Sequence, residues 1–176
     1  MKKLVCASLF ATAALAGPAS AADTAWSTLN TYETVSMKGG PDAPWNLVSR
    51  WDALESWCPA FVKTEIVSGG TGVGSVRAIT LKDGPTFTEE LIALDAAARE
   101  YTYRIIDSPL PIVDYVSTVR VLAMPDGHSE VIWKSSYKRR AKDNPTAEQD
   151  DPAMLKLVSG LYRACLGNVK ATVERK

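Results

Sequence analysis

Two short turns constrain this chain more than any other feature, because together they set the register of most of a sheet. Lys82-Asp83-Gly84 and Pro125-Asp126-Gly127 each join two strand-like stretches. Each is a three-residue loop with Gly third, the pattern of a type I turn followed by a left-handed residue in a bulge. Counting outward from the first turn sets Leu81 against Pro85 and Arg77 against Glu89. Counting from the second sets Met124 against His128, Val119 against Trp133, Ser117 against Ser135 and Tyr115 against Tyr137. Directly opposed residues share a face, and faces alternate along each strand. One face then carries Arg77, Ile79, Leu81, Glu89, Leu91, Tyr101, Tyr103, Ile105, Tyr115, Ser117, Val119, Val121, Val131, Trp133, Ser135 and Tyr137. The other carries Ala78, Thr80, Glu90, Thr102, Arg104, Thr118, Arg120, Lys134, Ser136 and Lys138, a set suited to solvent.

The inner set is not purely apolar. Burying a neutral polar group without a partner costs about 1–3 kcal/mol, and a charge costs more. An Arg77–Glu89 ion pair relieves part of that cost, either as a structural bridge at the sheet rim or as the polar lining of a cavity. The number of aromatic hydroxyls favours a ligand cavity lined by Arg77, Glu89, Tyr103, Tyr115, Ser117, Trp133 and Ser135. His128 lies at a turn edge and is read as solvated. Asp107-Ser108-Pro109-Leu110-Pro111 is a stiff connection, either a wide loop or a lid. Lys138-Arg139-Arg140 reads as a solvated strand end. With one His and three Cys, no metal site and no cofactor are expected.

The remaining elements follow from local pattern. Residues 29–38 form a strand closed by Gly39-Gly40. Pro41-Asp42-Ala43-Pro44 opens a short helix with Trp45, Val48 and Trp51 or Asp52 at helical spacing, and a second short helix covers 53–57 before Pro59. The three Trp, at 45, 51 and 57, read as core anchors. A strand follows at 61–68. The run 69–74 is rich in Gly but lacks the Lys and the following helix that a phosphate loop needs, so it reads as a flexible connection. Further strands are expected at 73–81, 85–94, 100–107, 112–124 and 128–140. Asp151 as N-cap with Pro152 first in the helix starts a long C-terminal helix, its apolar stripe Met154, Leu157, Val158, Leu161, Cys165 and Val169.

The first residues read as an address. Met1-Lys2-Lys3, an Ala- and Leu-rich run to Ala16, and Ala19-Ser20-Ala21 make a secretory signal peptide of residues 1–21, too short to span a bilayer. Cleavage leaves one domain, 22–176, with 18 basic against 20 acidic residues, in a bacterial periplasm. That charge balance argues against a nucleic-acid partner. Cys6 lies before the apolar run, which rejects lipidation. Cys58 and Cys165 remain, either bridged in an oxidising compartment or buried as two thiols.

The order strand, two short helices, six strands, long helix resembles the START-like, or Bet v 1-like (SRPBCC), superfamily. The residues that carry the resemblance are Pro44-Trp45-Asn46-Leu47-Val48, Trp57-Cys58-Pro59, Gly74-Ser75-Val76-Arg77, Asp83-Gly84 with Glu89-Glu90-Leu91, and Tyr101-Thr102-Tyr103-Arg104. The stretch 110–115, Val131-Ile132-Trp133 and Leu161-Tyr162-Arg163 add to it. They are similar to the polyketide cyclase/dehydrase branch and, with the signal peptide, to exported MxaD-like proteins of methanol oxidation. Two departures stand out. Cys58 occupies the place of a frequent His before Pro, and the aromatic usual at the end of the last strand appears as Ser136-Tyr137-Lys138.

The resemblance implies an α+β helix-grip fold, a curved seven-stranded antiparallel sheet around the long helix with a cavity between. The first reading is a periplasmic binding or accessory protein that holds a small hydrophobic or amphipathic ligand, with Arg77 orienting its carboxylate or carbonyl, or docks onto a redox enzyme, without doing chemistry. In its MxaD-like form it implies a periplasmic quinoprotein dehydrogenase or cytochrome as partner. The alternative is a cyclase or dehydratase with Glu89 and Tyr103 as acid/base groups, in which Arg77 is expected to lower the Glu89 pKa.

Overall fold

The computed structural model describes residues 26–175 except Asp83. The proposed signal peptide and Cys6 lie outside the described residues, and the turn through Asp83 is described only at its ends. Among the described residues no helix is long and apolar enough to cross a membrane.

Strand β1 (Leu29–Lys38) is followed by helix α1 (Asp42–Val48) and a single 3₁₀ turn (Leu54–Ser56). Six strands come next: β2 (Phe61–Ser68), β3 (Val76–Leu81), β4 (Thr86–Asp95), β5 (Glu100–Asp107), β6 (Ile112–Ala123) and β7 (His128–Arg139). Helix α2 (Asp151–Val173) closes the chain. The seven strands form one antiparallel sheet in the order β1-β7-β6-β5-β4-β3-β2, with β1 reaching across to pair with β7.

Both turns set the register that counting predicts. Leu81 N–H donates to Pro85 O at 3.2 Å, and Met124 N–H to His128 O at 2.9 Å. Arg77 faces Glu89, Val119 faces Trp133 and Ser117 faces Ser135. Gly127 takes φ 80°, the left-handed residue the turn pattern requires. The Tyr115–Tyr137 pairing does not form. A bulge between Val113 and Val116 intervenes, with Asp114 at φ 53°, a conformation Asp tolerates better than most residues. The bulge leaves Tyr115 facing inward and brings Ile112 to the same buried face.

Several local expectations shift. The second short helix is only the 3₁₀ turn, and β3 begins at Val76. The N-cap of α2 is Asp150, whose carboxylate accepts from Ala153 N–H at 2.8 Å, so Pro152 is the second helical residue. The helix buries Met154, Val158, Tyr162, Cys165, Leu166 and Val169, whereas Leu157 is half exposed. Those buried positions repeat at four- and three-residue steps, one face of a helix lying in the curve of the sheet. Residues 69–74 join β2 to β3, as expected. Gly69 runs at φ 76°, where a Cβ would stand 2.9 Å from Ser75 Cα, and Gly74 N–H donates to Leu91 O at 2.8 Å.

Cys58, just after the 3₁₀ turn, forms a disulfide with Cys165 of α2 across 107 residues of sequence. Asn168 of α2 donates to Trp57 O at 3.1 Å beside it. Closing so long a loop restricts the unfolded chain, so replacing both cysteines by Ser should cost about 2–4 kcal/mol in a denaturant titration. An unfolding midpoint equal to that of the bridged protein contradicts this.

Candidate functional site

Between the concave sheet face and α2 lies a cavity of about 130 Å³. Phe61, Leu81, Phe87, Ile105 and Ile112 form its floor, Leu54 one side, and Leu157, Val158 and Leu161 its roof. Its polar groups are Glu89, Tyr103, Tyr115, Trp133 and Tyr162. Of the seven residues proposed from sequence, Glu89, Tyr103, Tyr115 and Trp133 therefore line it. Arg77, Ser117 and Ser135 are buried on the same face but are not part of the lining.

Arg77 is walled off by its own partners. Its Nε and Nη2 donate to Glu89 Oε2 at 2.9 and 2.6 Å, and its Nη1 to the Trp51 carbonyl at 3.0 Å. The Trp51 ring covers the guanidinium, with Cζ 3.6 Å from the ring centroid, and Tyr103 lies at 5.4 Å. Trp51 is fixed in turn, since its Nε1–H donates to Ser75 Oγ at 2.9 Å and Ser75 Oγ donates to Gly70 O. Arg77 thus sits behind the cavity lining, held by its own partners, where the sequence reading has it facing the ligand. Glu89 differs in its two oxygens: Oε2 takes both Arg77 contacts, while Oε1 accepts no hydrogen bond from any described residue. Burial raises the Glu89 carboxyl above its usual range, and the Arg77 charge offsets this only in part. This corrects the expectation that Arg77 sets the shift.

The other polar wall is an array of hydroxyls. Tyr162 of α2 bonds to Tyr115 OH and, at 3.2 Å, to Ser117 Oγ, and its ring stacks on Trp133 with centroids 4.0 Å apart. Trp133 Nε1–H donates to Ser117 Oγ at 2.9 Å and to Tyr103 OH at 3.1 Å, and Tyr103 and Tyr115 hydroxyls lie 3.4 Å apart. Burial pushes the Tyr103, Tyr115 and Tyr162 hydroxyls well above the usual phenol range, so all stay protonated. Tyr162 was absent from the sequence-based set. Its signal was available, because it lies four residues from both Val158 and Leu166.

Leu110 of the β5–β6 connection also lines the cavity, so that segment does cover it. Beyond the Arg104–Val116 pair no β5–β6 ladder pairing continues, and one guanidinium straps the connection instead. Arg140 donates through Nε to Leu110 O at 2.9 Å and through Nη2 to Ser108 O at 2.5 Å. Its own N–H donates to Pro111 O at 2.8 Å. The Lys138–Arg140 cluster is thus not simply a solvated strand end, for Arg139 is buried and paired with Asp151 of α2 at 2.5 Å.

The curved sheet, the gripped helix and the cavity between them define a helix-grip protein. The chain belongs to the polyketide cyclase / dehydrase and lipid transport family, whose profile matches residues 28–174. Among solved structures it is similar to an uncharacterized protein of Bacillus thuringiensis, with 25% identity and a TM-score of 0.73 over 83% of this chain and 99% of that one. It is also similar to XoxI of Bacillus cereus, with 25% identity and a TM-score of 0.71 over 82% and 95%. The Zhui aromatase/cyclase of Streptomyces sp. R1128 shares the fold at 19% identity, with a TM-score of 0.71 over 85% and 95%. No curated protein matches the sequence.

Arg140→Gln removes the strap while leaving the cavity walls in place. Hydrogen exchange of the 108–112 backbone should then accelerate several-fold with little change in global stability. Unchanged exchange there contradicts the strap.

Proposed function

We propose that this protein is an exported, periplasmic binding protein that holds one small, largely apolar molecule in the cavity between the sheet and α2. The observation that carries this reading is the cavity itself: an apolar chamber whose polar groups are gathered into two walls, Glu89 and the phenol array. Its size limits the ligand. Drug-sized pockets run to about 300–1,000 Å³, whereas a dry cavity of about 150 Å³ accepts one benzene. At about 130 Å³, a full polyketide chain does not fit. Export rests on the pattern of residues 1–21, and the Cys58–Cys165 disulfide suits an oxidising compartment. The finer reading, from the MxaD-like resemblance, is that the protein serves a methanol-oxidation-type system with a quinoprotein dehydrogenase or cytochrome as partner.

Native mass spectrometry of protein taken from the periplasm of its host tests the binding role. A small stoichiometric adduct that leaves on denaturation is expected. A protein that is apo and binds no small aromatic probe overturns it.

One observation favours an enzymatic reading: Glu89 is buried, its carboxyl is raised, and it keeps one oxygen free at the cavity. As a base, with Tyr103 as acid, it would act on a small substrate rather than a chain. Glu89→Gln would then abolish turnover and spare binding; turnover that survives the change refutes this reading.

A further inference from the structure

We infer that the cavity selects a neutral hydrogen-bond donor, an alcohol or phenol of about six to nine non-hydrogen atoms, over a carboxylate or a carbonyl compound. This rests on the binding role proposed above and specifies the ligand class.

The inference follows from where the protons go. The Lys134 carbonyl can only accept, so Ser117 O–H donates to it, at 2.9 Å. Ser117 is then the acceptor for Tyr162 O–H, Tyr162 the acceptor for Tyr115 O–H, and Tyr115 the acceptor for Tyr103 O–H. Trp133 Nε1–H is divided between Ser117 and Tyr103. In this assignment, the one that serves every contact, each proton of the array is already donated within the protein.

Glu89, on the strand next to that of Tyr103, supplies no proton either. The two Arg77 N–H bonds to Oε2, at 2.9 and 2.6 Å, hold Glu89 as the carboxylate, so its Oε1 offers lone pairs only, and the Arg77 N–H groups bonded to Oε2 and Trp51 lie behind it. No Lys, Arg, His, Asn or Gln is among the lining residues. The surface a ligand meets is therefore rich in acceptors and poor in donors.

Each ligand class can be judged against that surface. A carboxylate would sit beside the Glu89 charge with no donor of its own to meet. A ketone or ether would leave Oε1 dry and unpaired. An ammonium would add a net charge to a site where Arg77 and Glu89 already cancel. A hydroxyl supplies the missing proton to Oε1 without adding charge.

Benzyl alcohol and anisole are isomers of nearly equal volume that differ in the donor, and benzoate supplies the anion. Titration calorimetry of the mature, disulfide-bonded protein at neutral pH should find benzyl alcohol at least tenfold tighter than anisole, with benzoate weaker still. Glu89→Gln, checked for folding by circular dichroism, should narrow the alcohol-to-ether ratio to about threefold or less. Anisole or benzoate binding the unaltered protein as tightly as benzyl alcohol overturns the donor assignment alone. Failure of all three and of benzene to bind overturns the cavity reading on which it rests. The isomer comparison needs no variant, so it stands even if Glu89→Gln does not fold.

Discussion

The architecture turns on one ion pair buried where ions are costly. Arg77 and Glu89 are 1% and 4% exposed, and a pair so placed recovers its desolvation penalty only with near-complete hydrogen bonding. Two guanidinium nitrogens share one carboxylate oxygen, a third takes the Trp51 carbonyl, and the Trp51 ring lies over the charge. That demand reaches back along the chain. Trp51 must sit against the sheet, so the segment between α1 and the 3₁₀ turn is drawn down onto β3. Ser75 and the left-handed glycines of 69–74 then form to hold the indole N–H. Of the groups around Arg77, Glu89 and Tyr103 reach the cavity.

The opposite side depends on α2. Tyr162 stacks on Trp133 and enters the hydroxyl array, so the helix is joined to the sheet by hydrogen bonds as well as apolar packing. The Cys58–Cys165 bridge ties the same helix to the turn that carries Trp57. Three fasteners therefore surround the cavity: the disulfide, the Arg139–Asp151 pair and the Arg140 strap over Leu110. The last holds the β5–β6 connection. A ligand would pass most readily there, where β5 and β6 have ceased to pair.

How much of this was legible beforehand differs by level. The hairpin register was, because two glycine turns and strict alternation place Arg77 opposite Glu89 and Ser117 opposite Ser135 without any tertiary information, whereas the helix-grip arrangement was implied by the family resemblance. The inward direction of Tyr103, Tyr115 and Trp133 followed from the same parity. What parity cannot show is which inward residue reaches a void. Arg77 is hidden by Trp51, a contact between residues 26 apart that no strand pattern encodes. The Asp114 bulge escaped because one extra residue breaks the count without an obvious marker. Tyr162 was missed because weighting the helix by aliphatic residues put Leu157 and Leu161 on the buried stripe. They instead border the cavity from the half-exposed side of α2.

Intermolecular nuclear Overhauser effects between bound benzyl alcohol and the protein test the central claim most directly, because they locate the ligand as well as detect it. Contacts to Leu110, Leu161, Leu81 and the Phe87 ring are expected, since all four line the cavity and none lines the outer groove. Contacts confined to the outer groove beside Arg104, Ile106 and Val116 would contradict the account, because Glu89, Tyr103, Trp133 and Tyr162 do not line that groove.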